Sequence, residues 1–263
     1  QAARITGLAT TDATQQLVVT AAQFQKNAGI LARWGAGSGN TVEVTGVGAA
    51  AAKAFVAARP AYVSSITVDD SSANLQRNLD DLQALVSGGS LRQIVHTGPA
   101  TPLKITAAQL TANADALNAI KDQAYTLAIT EASVSDTLGL GGGTALAANK
   151  RIKSIEVKDG TDAIEANLDA LQRMGLKLRS IAQTDADNTL TVSASQFSKD
   201  AVALGKIITP YQLDVIRASA AQAAQLAANQ KVVTVAVADT AANISRKWAL
   251  MQRDPIPRWT QGR

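Results

Sequence analysis

One pattern is written three times in this chain: LVVTAAQFQKNAGIL from Leu17 to Leu31, LKITAAQLTANADAL from Leu103 to Leu117, and LTVSASQFSKDAVAL from Leu190 to Leu204. A long-period repeat restricts the fold sharply, because every copy must form the same supersecondary unit and bury its apolar face against its neighbours. The copies start 86 and 87 residues apart, a length that three strand-plus-helix rungs of about 29 residues fill.

Each copy encodes a switch from strand to helix. Leu103 and Ile105 alternate as one face of a short strand, and Thr106-Ala107-Ala108-Gln109 then has the form of a capping box. Thr20 with Gln23 and Ser193 with Gln196 repeat that box. Beyond it, Leu110, Ala114 and Leu117 fall at i, i+4 and i+7, which predicts one buried helix stripe.

The intervening rungs repeat as well. Thr41 to Val44 reads as a strand and Ala49 to Ala58 as an Ala-rich helix, after a glycine-rich turn from Trp34 to Gly39. A third strand at Ser65 to Val68 leads to a helix from Ser71 to Leu85 with Leu75, Leu79, Leu82 and Leu85 on one stripe. Asp70 followed by NLDDLQ (Asn78 to Gln83) returns as Asp159 followed by NLDALQ (Asn167 to Gln172), and more weakly at Asp239. Leu91 to Thr97 returns as Leu178 to Thr184, and Tyr125 to Ile129 as Tyr211 to Val215. The boundaries read as super-repeats over 17–102, 103–189 and 190–252 in a single array over 1–263, with a tail at 253–263 and a loop elaboration at Leu138 to Ala148.

Strand followed by helix throughout predicts parallel strands with right-handed crossovers. Adjacent strands sit about 4.8 Å apart, whereas packed helices need about 8–10 Å, so one helix per strand forces curvature or a second helical face. The expected fold class is α/β: an open repeat solenoid of strand-helix rungs with a parallel sheet and a super-repeat of three rungs. A doubly wound sheet is the alternative.

Composition limits function. The 263 residues include no Cys and one His, and 3% are aromatic against 46% hydrophobic, so disulfide staples and Cys-ligated zinc are excluded. Net charge is +4 with pI near 9.4, but basic and acidic residues are interspersed and aromatic stacking platforms are missing, so no nucleic-acid partner is expected. No stretch of about 18 apolar residues predicts membrane insertion. A start at Gln1 rather than Met reads as a processed product or an excerpt of a longer chain.

Candidate chemistry is sparse. Asp69, Asp70, Asp159 and Asp239 at strand ends fit either a ladder of calcium sites or helix N-caps, and the cap is the simpler reading. The run Gly139 to Gly143 is neither a calcium-binding nonapeptide nor a P-loop. His96 is replaced by Gln183 in its second copy, and Asp80 with Asp81 reads as a solvated face. Asn27, Asn113 and Asp200 recur at one helical position and suggest a side-chain ladder between rungs. The last helix departs from pattern at Trp248 and Met251, and with Trp259 these form either a terminal cap or a subunit contact. No constellation predicts catalysis, so no enzyme is expected, and no cofactor beyond the calcium reading.

The alternation of ITVDDSSANLQRNLDDLQAL with LKITAAQLTANADAL, and of IEVKDGTDAIEANLDALQ with LTVSASQFSKDAVAL, resembles Ala-rich tandem repeats in large secreted surface proteins of Gram-negative bacteria. These are adhesins, S-layer-like proteins and haemolysin-type repeat proteins. The resemblance covers most of Leu17 to Ile244 and implies an extracellular or cell-surface role as a self-associating fibre, stalk or lattice component. The implied partners are copies of the chain or further repeats. The alternative is an adhesin or repeat module that recognises a glycan or protein.

Overall fold

The computed structural model describes residues 10, 15–37, 39–99, 101–121, 125–142 and 145–251, with the backbone alone at 249–251. The chain divides into two compact parts, residues 1–127 and 128–263. In the first, β1 (Gln16–Thr20), β2 (Thr41–Val47), β3 (Val63–Asp70) and β4 (Leu91–His96) lie side by side in that order, each pairing parallel. The crossovers are α1 (Ala21–Lys26) with α2 (Ala28–Gly35), then α3 (Ala49–Ala58), then α4 (Ser72–Arg77) with α5 (Leu79–Ser87). A short turn leads to β5 (Leu103–Thr106), α6 (Ala107–Ala112) and α7 (Ala114–Asn118), and Ile120 bridges in parallel to Ile94 of β4.

The second part follows the same plan. It runs through β6 (Leu127–Ala132), α8 (Val134–Leu138), β7 (Ile152–Asp159), α9 (Thr161–Ala166), α10 (Leu168–Arg173) and β8 (Leu178–Gln183). Next come β9 (Thr189–Ser193), α11 (Ala194–Lys199), α12 (Ala201–Leu204), β10 (Gln212–Ala218), α13 (Ala223–Ala227), β11 (Val232–Val237) and α14 (Ala241–Met251). Ile207 bridges Ile181 as Ile120 bridges Ile94, one super-repeat later. Among the described residues the strands fall in three sheets, each in chain order, so the α/β class and the strand-helix alternation read from the repeat are present.

Burial follows the repeat. Leu103 and Ile105 of β5, and Leu190 and Val192 of β9, are at most 1% exposed. Leu75, Leu79, Leu82 and Leu85 are all buried, as their spacing predicts. All three capping boxes form: Thr106 Oγ1 accepts from the Gln109 N–H at 3.0 Å while Gln109 Oε1 accepts from the Thr106 N–H at 3.2 Å, and Thr20 and Ser193 do the same.

The helix stripe of the opening pattern differs from expectation. Leu110 is half-buried and Ala114 exposed, while Asn113, Ala116 and Leu117 are buried. The cause is a break at Asn113, which sits at φ −111°, ψ 28° between α6 and α7 and turns the face. Asn27, Asn78, Asn167 and Asp200 break their helices at the equivalent place. At three of these the side-chain amide competes for the carbonyl four residues back: Asn27 to Gln23 O at 2.9 Å, Asn78 to Asn74 O at 2.8 Å and Asn167 to Ala163 O at 2.9 Å.

A second local device sits in the middle strand of each super-repeat. Gly46 has φ +72°, and its counterparts Glu131 and Arg217 take φ +55° and +56°. The register against the next strand shifts at Gly46 and again at Arg217, as an inserted bulge residue requires. Left-handed backbone costs a non-glycine residue about 1–2 kcal/mol. Arg217→Gly is therefore expected to raise stability by about 1 kcal/mol and Gly46→Ala to lower it by a similar amount, both read from chemical denaturation of the full chain.

Candidate functional site

The residues that recur most closely do one job: they tie each strand-helix step to the next. The motif Asn78-Leu79-Asp80-Asp81-Leu82-Gln83 shows how. Asn78 breaks the helix, Leu79 and Leu82 fill the core, and Asp80 and Gln83 reach forward. Asp80 Oδ1 accepts from Asn113 Nδ2 at 2.7 Å, and Gln83 Oε1 accepts from the Ala116 N–H at 2.8 Å. That amide needs an outside acceptor, because a helix restarting after a break leaves its first N–H groups without intrahelical partners. Gln76 adds a third tie, accepting from the Lys104 N–H of β5 at 2.8 Å.

The second part repeats the ties with changed residues. Gln172 accepts from the Ala203 N–H at 2.8 Å, and Glu165 from the Thr191 N–H of β9 at 2.6 Å. Of the suspected polar ladder, Asn113 makes its link to Asp80, Asn27 bonds within its own helix, and Asp200 holds a buried Oδ2 without a hydrogen-bond partner. Asp81 carries a separate exposed pair with Lys53 at 2.7 Å.

The strand-end carboxylates form a second set of ties, only half of it foreseen. Asp70 Oδ1 accepts from the Ser71 N–H at 2.8 Å, at the turn into α4, whose cap is Ser71 itself. Its Oδ2 accepts from the Ala49 N–H at 2.9 Å, the first amide of α3 in the preceding step. Asp159 does the same for Val134 of α8 at 2.8 Å, Asp185 for Thr161 of α9 at 2.5 Å and Asp239 for Ala220 in the turn before α13 at 3.0 Å. Burial alone would raise the Asp70 carboxyl, but Asn74 and the N–H groups of Ala49 and Ser71 outweigh it and hold the carboxyl below the usual range. The Asn243 side chain, then the amides of Thr240 and Ala220, hold Asp239 low in the same way. Asp69 is exposed and stands apart from these caps. Among the described residues no group of three or more His, Asp or Glu side chains gathers as a metal site.

His96 meets a hydroxyl in an arrangement that resembles a nucleophile and its base. Its Nε2 lies 2.6 Å from Ser72 Oγ, yet Ser72 is 4% exposed and donates to the Thr101 carbonyl at 2.8 Å. In the next copy Thr161 and Gln183 build the same contact at 3.0 Å, with Thr161 donating to the Asp187 carbonyl at 2.7 Å. A glutamine cannot act as a base, so the shared geometry is a clamp between helix start and turn.

The terminal steps break the pattern. Val232, Val235 and Val237 of β11 occupy the positions of Val63, Ile66 and Val68 in β3 and of Ile152, Ile155 and Val157 in β7. Those six are at most 2% exposed, whereas the three valines are only half-buried, Val235 and Val237 packing with Ile244 against Ala220 and Ala223. At the opposite terminus Leu17 and Val19 of β1 are half-buried where their counterparts in β5 and β9 are fully buried, and Val18 is 62% exposed. Comparison with known protein families, characterised proteins and solved structures finds no match to this chain. Its own repeats are therefore the reference for what its ends lack.

Trp248 belongs to the same end. It stands where Leu79 and Leu168 stand in the earlier copies, and it is 55% exposed. The positions of the forward-reaching Asp80 and Asp169 are taken here by Ala249. The side chain of Met251 and all of Trp259 lie outside the described residues. An open groove of about 640 Å³ lies beside the glycine-rich loop, lined among others by Leu138, Leu140, Ala145, Met174 and Arg173. Lys177 ties that loop down by donating to the Ala147 and Asn149 carbonyls.

Proposed function

We propose that this chain is a non-enzymatic structural module, an open α/β solenoid that joins end to end with copies of itself or with further repeats. The half-exposed valines of β11 carry this reading, since the same side chains in β3 and β7 are sealed by the next step. Among the described residues β1 and β11 each pair along one edge, as the outer strands of every sheet do, and an unpaired parallel edge above a half-covered apolar face is a template for another strand. A contact between two different ends is heterologous and continues as a fibre or stalk when it does not close. Placement at a bacterial cell surface is carried by the sequence resemblance.

The test is sedimentation velocity and electron microscopy of the full chain over a concentration series, with Val235→Lys alongside. The expected result is concentration-dependent end-to-end oligomers that Val235→Lys abolishes while its circular dichroism is retained. Monomers at every concentration, or oligomers indifferent to Val235→Lys, would overturn the proposal.

A further inference from the structure

One of the ties between steps loses its donor in the second part. In the first, Asn113 is 1% exposed and donates to Asp80. In the second, the same two positions hold Asp200 and Asp169. Asp200 is 3% exposed, and its Oδ2 is buried without a hydrogen-bond partner. Two carboxylates have acceptors but no donor, so a single proton between them supplies what the Asn113 amide supplies in the other copy.

We propose that Asp169 and Asp200 form a proton-binding site that links successive helices, closed while the pair shares one proton and open when both carboxylates are charged. The surroundings fit this reading. Asp169 and Arg173 approach from α10, Lys199 from α11 and Arg217 from β10, around an open cavity of about 540 Å³. Burial first, then the hydrogen bond and the charge of Asp169, push the Asp200 carboxyl up to about 6, against the opposing pull of Lys199 and Arg173. Arg173 and Lys199 also make the cavity a poor cation site.

The sign follows from the raised value. A carboxyl that titrates higher in the folded chain than its ordinary 3.8 binds its proton more tightly there. Its contribution to stability is complete below about pH 4, falls as pH rises, and is gone above about pH 6. The shift of about two pH units is roughly a hundred-fold in proton affinity.

The experiment is urea denaturation of the full chain from pH 4.5 to 8, with carboxyl NMR of Asp200. Wild type is expected to lose stability as pH rises from 4.5 to about 6, with Asp200 titrating near 6, and to level off above that. Asp200→Asn, which restores the Asn113–Asp80 type of pair, is expected to remove that loss and to exceed wild type at pH 7.5. Asp169→Asn is expected to return the Asp200 titration toward 4. An Asp200 midpoint near 4 in wild type, or identical pH slopes in wild type and Asp200→Asn, would overturn the proposal. Stabilisation of wild type but not Asp200→Asn by calcium at pH 7.5 would also overturn it, in favour of a cation site.

Discussion

Leu168→Ala is expected to lower the stability of the chain by about 2–5 kcal/mol, whereas Trp248→Ala, a larger truncation at the same repeat position, costs less than about 1 kcal/mol. Leu168 is fully buried between its helix and the next step, so removing it forfeits transfer free energy and leaves a cavity in a close-packed interior. Trp248 is 55% exposed, and its truncation leaves no void. Urea denaturation followed by circular dichroism measures both. At concentrations where copies assemble, Trp248→Ala is expected to weaken association instead, because aromatic side chains are enriched among residues that anchor interfaces. Equal destabilisation by the two substitutions in dilute solution would mean that α14 is covered as the internal helices are.

Asp70→Ala is expected to cost about 1–2 kcal/mol at neutral pH, with Asp70→Asn between it and wild type. One carboxylate holds the first amide of α3, the Ser71 amide and the Asn74 side chain, so one substitution uncaps α3 and loosens the turn into α4, whose own cap is Ser71. Because the Asp70 carboxyl is held low in the fold, its stabilisation is present above the ordinary carboxylate range and is lost as pH falls through about 4 and below. The difference between wild type and Asp70→Ala should therefore shrink toward pH 3. Asp200 has the opposite sign, favouring the fold at low pH. Asp70 and Asp200 therefore pull the pH dependence of stability in opposite directions. A difference between wild type and Asp70→Ala that stays constant down to pH 3 would refute the charged-cap account.

Much of this architecture was legible in the residues. The capping boxes at Thr20, Thr106 and Ser193 are local, and each forms because its partner is three residues away. The leucine stripe through Leu75, Leu79, Leu82 and Leu85 was legible because its spacing still places all four inward across the break at Asn78. The Leu110, Ala114 and Leu117 stripe failed because the break at Asn113 turns the face, and an asparagine within a helical pattern does not announce which carbonyl it will take. The regular return of Asn27, Asn113 and Asp200 at one helical position was the available signal. The caps that Asp70, Asp159 and Asp239 place on the preceding helices depend on the register between neighbouring strands, which no local spacing encodes. The left-handed residues Glu131 and Arg217 could have been found by aligning them with Gly46. The Ser72–His96 clamp was hidden because a hydroxyl and an imidazole 24 residues apart meet only through strand register.

Capping across steps also sets an order in time. The acceptor for the start of α3 lies 21 residues downstream of the amide it holds, and that for α8 lies 25 residues downstream. At a synthesis rate of about 5–20 residues per second, each helix start emerges on the order of 1–5 s before its cap exists. The starts of α3, α8 and α9 therefore gain a carboxylate made 21, 25 and 24 residues later, while α1, α6 and α11 carry their caps locally. A pause placed just before Asp70 is expected to leave the first amide of α3 without its acceptor for as long as the pause lasts.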